Sequence, residues 1–209
     1  MPRARAPRRR SAGIYVATLI RVDPSRLWEL TQQPSLHTRW DLRFSAIVPE
    51  STTDSGATRF RYERTVGLGT IRGTGTSIGE RRSADGSGTS ALRFDTDDRW
   101  SPVRDGRGYW RYVPTPGGVR FITGYDYAPG FGTTADLVIR PLVRWMTAWS
   151  FDRLRIWAET GTEPERWPVA SVLAVWRRDR PRASRCRTTP PPDGAFTDQP
   201  GTLSTLEAP

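Results

Sequence analysis

Hydrophobic and polar positions alternate in short runs from about residue 14 to residue 127, and the pattern then switches to three- and four-residue steps. Tyr15 to Val22 is rich in β-branched and aromatic residues and predicts a first strand. Asp23-Pro24-Ser25-Arg26-Leu27-Trp28-Glu29-Leu30 follows with an N-capping Asp, Pro at the first helical position and an apolar stripe, so a short helix starts there and stops at Gln33-Pro34. Ser35 to Asp41 reads as a second helical turn and Leu42 to Val48 as a strand.

From Thr58 the chain repeats strand, turn, strand: Arg59 to Thr65, Gly69 to Glu80, Ser90 to Thr96, Tyr109 to Val113 and Val119 to Tyr127. Gly67-Leu68-Gly69, Asp85-Gly86-Ser87-Gly88 and Pro114-Thr115-Pro116-Gly117-Gly118 separate them, and strands joined by such tight turns pair antiparallel. Asp97 to Gly108 reads as a polar loop or edge. Over Thr133 to Glu159, Leu142, Trp145, Met146, Trp149, Arg153, Ile156 and Trp157 recur at helical spacing, giving a long helix with an apolar, aromatic face. Pro141 either kinks that helix or begins its regular part, and Gly161 suits its C-terminal cap.

This order predicts an α+β fold in which a curved antiparallel sheet of six to seven strands wraps around one long C-terminal helix, with two short helices after the first strand. Residues 14–161 form that domain. Residues 1–13 read as a disordered basic arm, 162–176 as a short amphipathic helix over Glu165 to Trp176, and 177–209 as a disordered Arg- and Pro-rich tail. Sheet and helix must bury each other, and a sheet curled over a single helix leaves a wedge that side chains either fill or line.

Leu27-Trp28-Glu29-Leu30-Thr31-Gln32-Gln33-Pro34 with His37-Thr38-Arg39-Trp40-Asp41-Leu42-Arg43-Phe44, the Gly108-Tyr109-Trp110-Arg111-Tyr112-Val113-Pro114 strand, and Ala148-Trp149-Ser150-Phe151-Asp152-Arg153-Leu154 resemble the SRPBCC superfamily, in particular its polyketide cyclase/dehydrase and lipid-transport branch. The resemblance spans about residues 13–161. It implies a helix-grip, START-like fold with an internal cavity for a lipid, a polyketide or another small hydrophobic molecule, with either carriage or catalysis following. Similar domains sometimes precede a membrane-embedded DoxX-like domain, a continuation this chain does not show.

Composition narrows the chemistry. Of the 9 Trp, 6 Tyr and 7 Phe, only Trp167, Trp176 and Phe196 lie outside residues 11–161, so the core is expected there. The net charge of +10 sits at the ends, in Arg3 to Arg10 and in the Arg177 to Arg187 run, while the middle is nearly neutral. Those ends offer weak contact with an anionic surface, but no nucleic-acid reading module accompanies them. A single cysteine, Cys186, excludes an internal disulfide and fits a reducing, cytoplasmic setting. No run is long enough for an integral membrane segment, and Ile14 to Ile20, which follows Arg8, Arg9 and Arg10, is too short and too interrupted by Thr18 for the core of a signal peptide.

His37 is the single histidine, so neither a Ser-His-Asp triad nor a multi-His metal site can be built, and no metal or cofactor is expected. His37 either orients a polar ligand group, acts as a general base, or makes a structural hydrogen bond. Tyr125 and Tyr127 share a strand face with Phe121 and Thr123. An inward face would aim both hydroxyls at a ligand carbonyl. Arg153, on the apolar helix stripe, must find an anion, acceptors or solvent.

Trp145, Trp149 and Trp157 are expected to touch a ligand, Trp40 and Phe44 to close the mouth, and Trp110 to face in or out according to register. The candidate cavity set is therefore His37, Trp40, Phe44, Tyr62, Phe94, Phe121, Tyr125, Tyr127, Trp145, Trp149 and Arg153. Gly73-Thr74-Gly75-Thr76-Ser77-Ile78-Gly79 lacks dinucleotide-motif spacing and context, and bending of the sheet explains its glycines better.

Overall fold

The computed structural model describes residues 13–67, 69–81 and 85–209. The basic arm and Leu68 in its turn fall outside these, Gly13 excepted. Seven strands, β1 (Ile14–Ile20), β2 (Ala46–Thr52), β3 (Thr58–Val66), β4 (Gly69–Arg81), β5 (Gly88–Asp95), β6 (Val103–Thr115) and β7 (Gly118–Pro129), form one antiparallel sheet in the order β1-β7-β6-β5-β4-β3-β2. Two short helices, α1 (Pro24–Gln32) and α2 (Pro34–Trp40), carry the chain from one sheet edge to the other. The long helix α3 (Gly132–Thr160) follows the sheet, giving the helix-grip architecture.

Local signals account for these boundaries. The Asp23 carboxylate accepts from the Ser25 N–H at 2.7 Å and caps α1, while Gly161 takes φ +71° to end α3. Pro141 lies inside a continuous α3 and marks neither of its ends. The segment expected to be a polar loop is partly strand, because β6 begins at Val103 and pairs with β7 from there through a bulge before Gly106. Conversely, residues 42–45 form a turn, and β2 starts four residues later than the apolar pattern suggests.

Side chains divide by parity across the register. Val16, Ile20, Phe121 and Tyr125 point into a core with Leu27, Leu30, Trp40, Phe151, Leu154 and Trp157, whereas Tyr15, Ala17, Ala91, Tyr109 and Ile122 face the other side of the sheet. Only the C-terminal part of α3, from Thr147 to Trp157, is extensively buried, and it lies along β1 and β7. Leu137, Val138 and Leu142 on its N-terminal half are exposed.

Residues beyond α3 depart from expectation. In place of an amphipathic helix, Pro164–Arg166 and Val169–Leu173 are two 3-10 turns, because Pro164 and Pro168 interrupt the helical hydrogen bonding. The tail is not a solvated coil but packs on the outer sheet face. Ala17 and Arg187 exchange two backbone hydrogen bonds of 2.9 Å, and the Tyr109 hydroxyl donates to the Ala195 carbonyl at 3.0 Å. Leu203, in the short helix α4 (Thr202–Thr205), and Leu206 complete that outer cluster. Gly124 makes the close approach possible, since a Cβ there would lie 2.0 Å from the Ala195 carbonyl oxygen.

Leu206→Ala is expected to cost about 2–5 kcal/mol of unfolding free energy, as truncation of a buried leucine does. Urea denaturation measures it, and a wild-type midpoint would show that the tail does not contribute to the folded core.

Candidate functional site: a glycine-floored cavity

Because the buried C-terminal part of α3 lies along β1 and β7, α3 does not pack closely against the β2–β5 part of the sheet and leaves space there. A cavity of about 1050 Å³ occupies that space. Its floor comes from inward positions of β3–β7, its roof from Leu142, Val143, Trp145 and Met146 of α3, and one wall from Trp28, Thr31 and Gln32 of α1 and His37 of α2.

Four inward aromatics each sit directly across from a glycine on the neighbouring strand: Phe60 from Gly75, Tyr62 from Gly73, Phe94 from Gly106 and Tyr125 from Gly108. A Cβ on these glycines would fall 2.4 Å from the Phe60 ring, 2.4 Å from Tyr62, 2.2 Å from Phe94 and 2.5 Å from Tyr125 Cβ. The first three rings therefore lie over bare backbone, and they pave the floor without standing in the hollow. This adds to the bending expected of the Gly73 and Gly75 run a reason that resides in side-chain packing.

Polar groups gather at one place. Arg43 donates to both Asp41 carboxylate oxygens, with Nε at 2.9 and 3.2 Å and Nη2 at 2.6 Å, and His37 Nε2 lies 3.0 Å from Asp41 Oδ2. Burial raises the Asp41 pKa, but Arg43 and the His37 hydrogen bond outweigh it and hold the carboxyl well below its usual range. Burial lowers the His37 pKa and Asp41 only partly restores it, so the imidazole is neutral and donates Nε2–H to the carboxylate. Its ring is stacked 5.0 Å from Trp40 and edge-on to Phe44 and Trp110 at 5.1 and 4.9 Å.

The Tyr125 hydroxyl lies 2.6 Å from Thr147 Oγ1, and since the Thr147 hydroxyl already donates to the Val143 carbonyl at 2.9 Å, Tyr125 is the donor. Burial raises the Tyr125 pKa and the nearby Arg43 opposes that rise.

Of the residues singled out from sequence, His37, Phe44, Tyr62, Phe94, Tyr125 and Trp145 line this cavity. The others do not. Trp40 is fully buried beneath His37, with Nε1 donating to the Leu30 carbonyl at 2.9 Å, so it does not close a mouth. Phe121 stacks on Phe151 at 4.6 Å in the core. Tyr127 donates to Asp136 at 2.9 Å under Arg140. Trp149 packs with Leu42 and Trp167 and borders a separate hollow of about 400 Å³. Trp157 sits in the core beneath the Arg39 guanidinium. Arg153 gives Nε and Nη2 to the Pro164 carbonyl at 2.8 and 2.5 Å, anchoring the turn after α3. Trp110 faces inward. The candidate set did not include Arg43 and Arg64, although Arg64 follows the candidate Tyr62 by two in the same strand.

No family model matches the chain. It is 38% identical over 173 residues to the uncharacterized membrane protein YndG of Bacillus subtilis (strain 168), a match covering 80% of this chain and 65% of that protein. The chain thus spans about two thirds, 65%, of that curated relative's length. Among the described residues, no helix is long and apolar enough to cross a membrane. Protein CV1439 from Chromobacterium violaceum superposes with a TM-score of 0.51 at 14% identity, over 71% of this chain and 97% of that one. A STAR-related lipid transfer protein from Xanthomonas axonopodis gives 0.49 at 16% identity, over 66% and 81%. At such identities the likeness is one of fold.

Folded His37 resists a proton that the unfolded chain accepts below its ordinary pKa of 6.5, and Asp41 resists one below 3.8. Both shifts therefore make stability fall as pH falls, His37 acting first. His37→Gln is expected to flatten the decline between about pH 7 and pH 5 in urea-denaturation midpoints. An unchanged slope in the variant would contradict the buried neutral imidazole.

Proposed function

We propose that this protein binds a small, mainly hydrophobic molecule, of the lipid or polyketide kind, in the cavity between the sheet and α3, as the likeness to the SRPBCC superfamily implies. The observation that carries the reading is the glycine-floored hollow itself. Its volume of about 1050 Å³ lies just above the roughly 300–1,000 Å³ of small-molecule pockets. Its walls are mostly aromatic and aliphatic, with polar side chains in the minority, as such pockets require for orientation without heavy desolvation. Carriage needs nothing more.

A second reading, a cyclase-type enzyme, draws on the Asp41-backed His37 at the cavity wall, an arrangement suited to a general base. Tyr125 and Arg153 do not serve it, being engaged with Thr147 and Pro164. Loss of turnover of a poly-β-keto substrate in His37→Gln, with binding retained, would favour this reading over carriage.

Gly75→Ala tests the binding reading. The three atoms nearest the added methyl all belong to the Phe60 ring, which must tip off the floor and into the hollow. Nile red affinity, followed by fluorescence, is expected to fall about tenfold, the equivalent of roughly 1.4 kcal/mol. Gly69→Ala, where a Cβ meets nothing closer than 3.8 Å, serves as the control and leaves affinity unchanged. Equal affinity in both variants and the wild type would place the dye, and the ligand site, elsewhere.

A further inference from the structure

The cavity wall has a charge imbalance. Its charged side chains are Arg43 and Arg64; among the described residues no Asp or Glu lines it, and His37 is neutral. Arg43 is committed, being bonded to Asp41 through two nitrogens and lying 5.3 Å above the Tyr125 ring. Arg64 is not. It follows Tyr62 by two on β3, points to the same side, is half-buried, and makes no side-chain hydrogen bond or ion pair among the described residues.

The two arginines are neighbours in the fold. The Ser45 N–H donates to the Glu63 carbonyl at 2.7 Å and the Thr65 N–H donates to the Ser45 hydroxyl at 3.0 Å, which lays the turn carrying Arg43 alongside Arg64. Asp41 is the opposite charge that acts on Arg64, and that carboxylate is already shared between Arg43 and His37. Its one negative charge faces two positive ones. A half-buried guanidinium with five donors and no acceptor, beside an apolar floor, is poorly matched to a wholly apolar guest. It is well matched to a planar oxyanion, which it can grip with paired hydrogen bonds.

We propose that the ligand is an amphiphile whose anionic oxygen head group, a carboxylate or phosphate, is held by Arg64 beside Arg43, while its apolar body lies over the Phe60 and Phe94 rings. Arg43, fixed by Asp41, contributes charge, and Arg64 contributes the hydrogen bonds. This inference rests on the hydrophobic-binding reading and adds to it the class of head group.

The test uses the full chain and displacement of Nile red by decanoate, decyl phosphate and decanol, which share one apolar body. At least one of the two anions is expected to bind about tenfold or more tightly than decanol, the scale of a charge-assisted hydrogen bond. Which anion leads distinguishes a carboxylate from a phosphate head group. In Arg64→Gln that preference is expected to vanish while decanol affinity stays, and Arg64→Lys is expected to retain part of it. Decanol binding as well as both anions to the wild type would overturn the head-group inference and leave the cavity reading standing, a result that needs no variant to fold. An anion preference that survives Arg64→Gln would overturn the role given to Arg64. If Nile red and all three compounds fail to bind, the cavity reading itself falls.

Discussion

Aromatic rings laid over glycine are what keep this fold hollow. A helix gripped by a curved sheet ordinarily fills the space between the layers with the large side chains of both, because close packing is favoured wherever facing surfaces can reach each other. Here Phe60, Tyr62 and Phe94 have no Cβ opposite them on the adjoining strand, so their rings find contact by lying down across Gly75, Gly73 and Gly106. The floor is then flat and apolar. Contact that would otherwise be made with the helix is made within the sheet.

The placement of α3 supplies the other half of the arrangement. Its C-terminal half is packed against β1 and β7 through Phe151, Leu154 and Trp157, and the buried Asp152 carboxylate, which also pairs with Arg155, ties it to the tail through Arg185 and the Arg182 N–H. Arg153 ties the following turn in place through the Pro164 carbonyl. Removing either partner from a bonded buried charge leaves the other uncompensated, so these contacts fix where the helix lies more than they add to stability. With that end fixed, the N-terminal half projects over the β2–β5 floor, where Leu142, Val143 and Met146 form a roof.

Much of the architecture was legible because it rests on local chemistry. The Asp23-Pro24 start of α1, the tight turns and the apolar stripe of α3 each act within a few residues, and each lies close to where the pattern put it. The tail was not legible, because Ala195, Leu203 and Leu206 follow no period and become a surface only when the outer face of the sheet exists to receive them, as Cys186 does only when the core beside α3 exists. For the site, Tyr62, Phe94 and Tyr125 of the candidate set line the cavity, but Phe121 and Tyr127, which share the parity of Tyr125, are filled over by Phe151 and Asp136. Parity gives the face of a residue. Whether that face is covered depends on where the helix lies, and nothing in the strand itself records it.

The same distinction explains why the charged residues were missed. An arginine between polar neighbours in an alternating strand looks like a solvated side chain, and Arg59 and Arg61 on β3 itself are exposed and pair with Glu207 and Glu50. Arg64 departs from them by sharing the parity of Phe60 and Tyr62. Its neighbour Arg43 belongs to a turn whose conformation is set by Asp41, which accepts both the Arg43 N–H at 3.0 Å and its guanidinium. Asp41 in turn is held by His37 one helical turn earlier. The polar cluster is therefore assembled by short-range bonds at the end of α2 and delivered to the cavity by the pairing of the following turn with β3. A short stretch of chain thus sets both the electrostatics of the wall and the position of Phe44 beside it, so that charge and apolar surface reach the hollow as one unit.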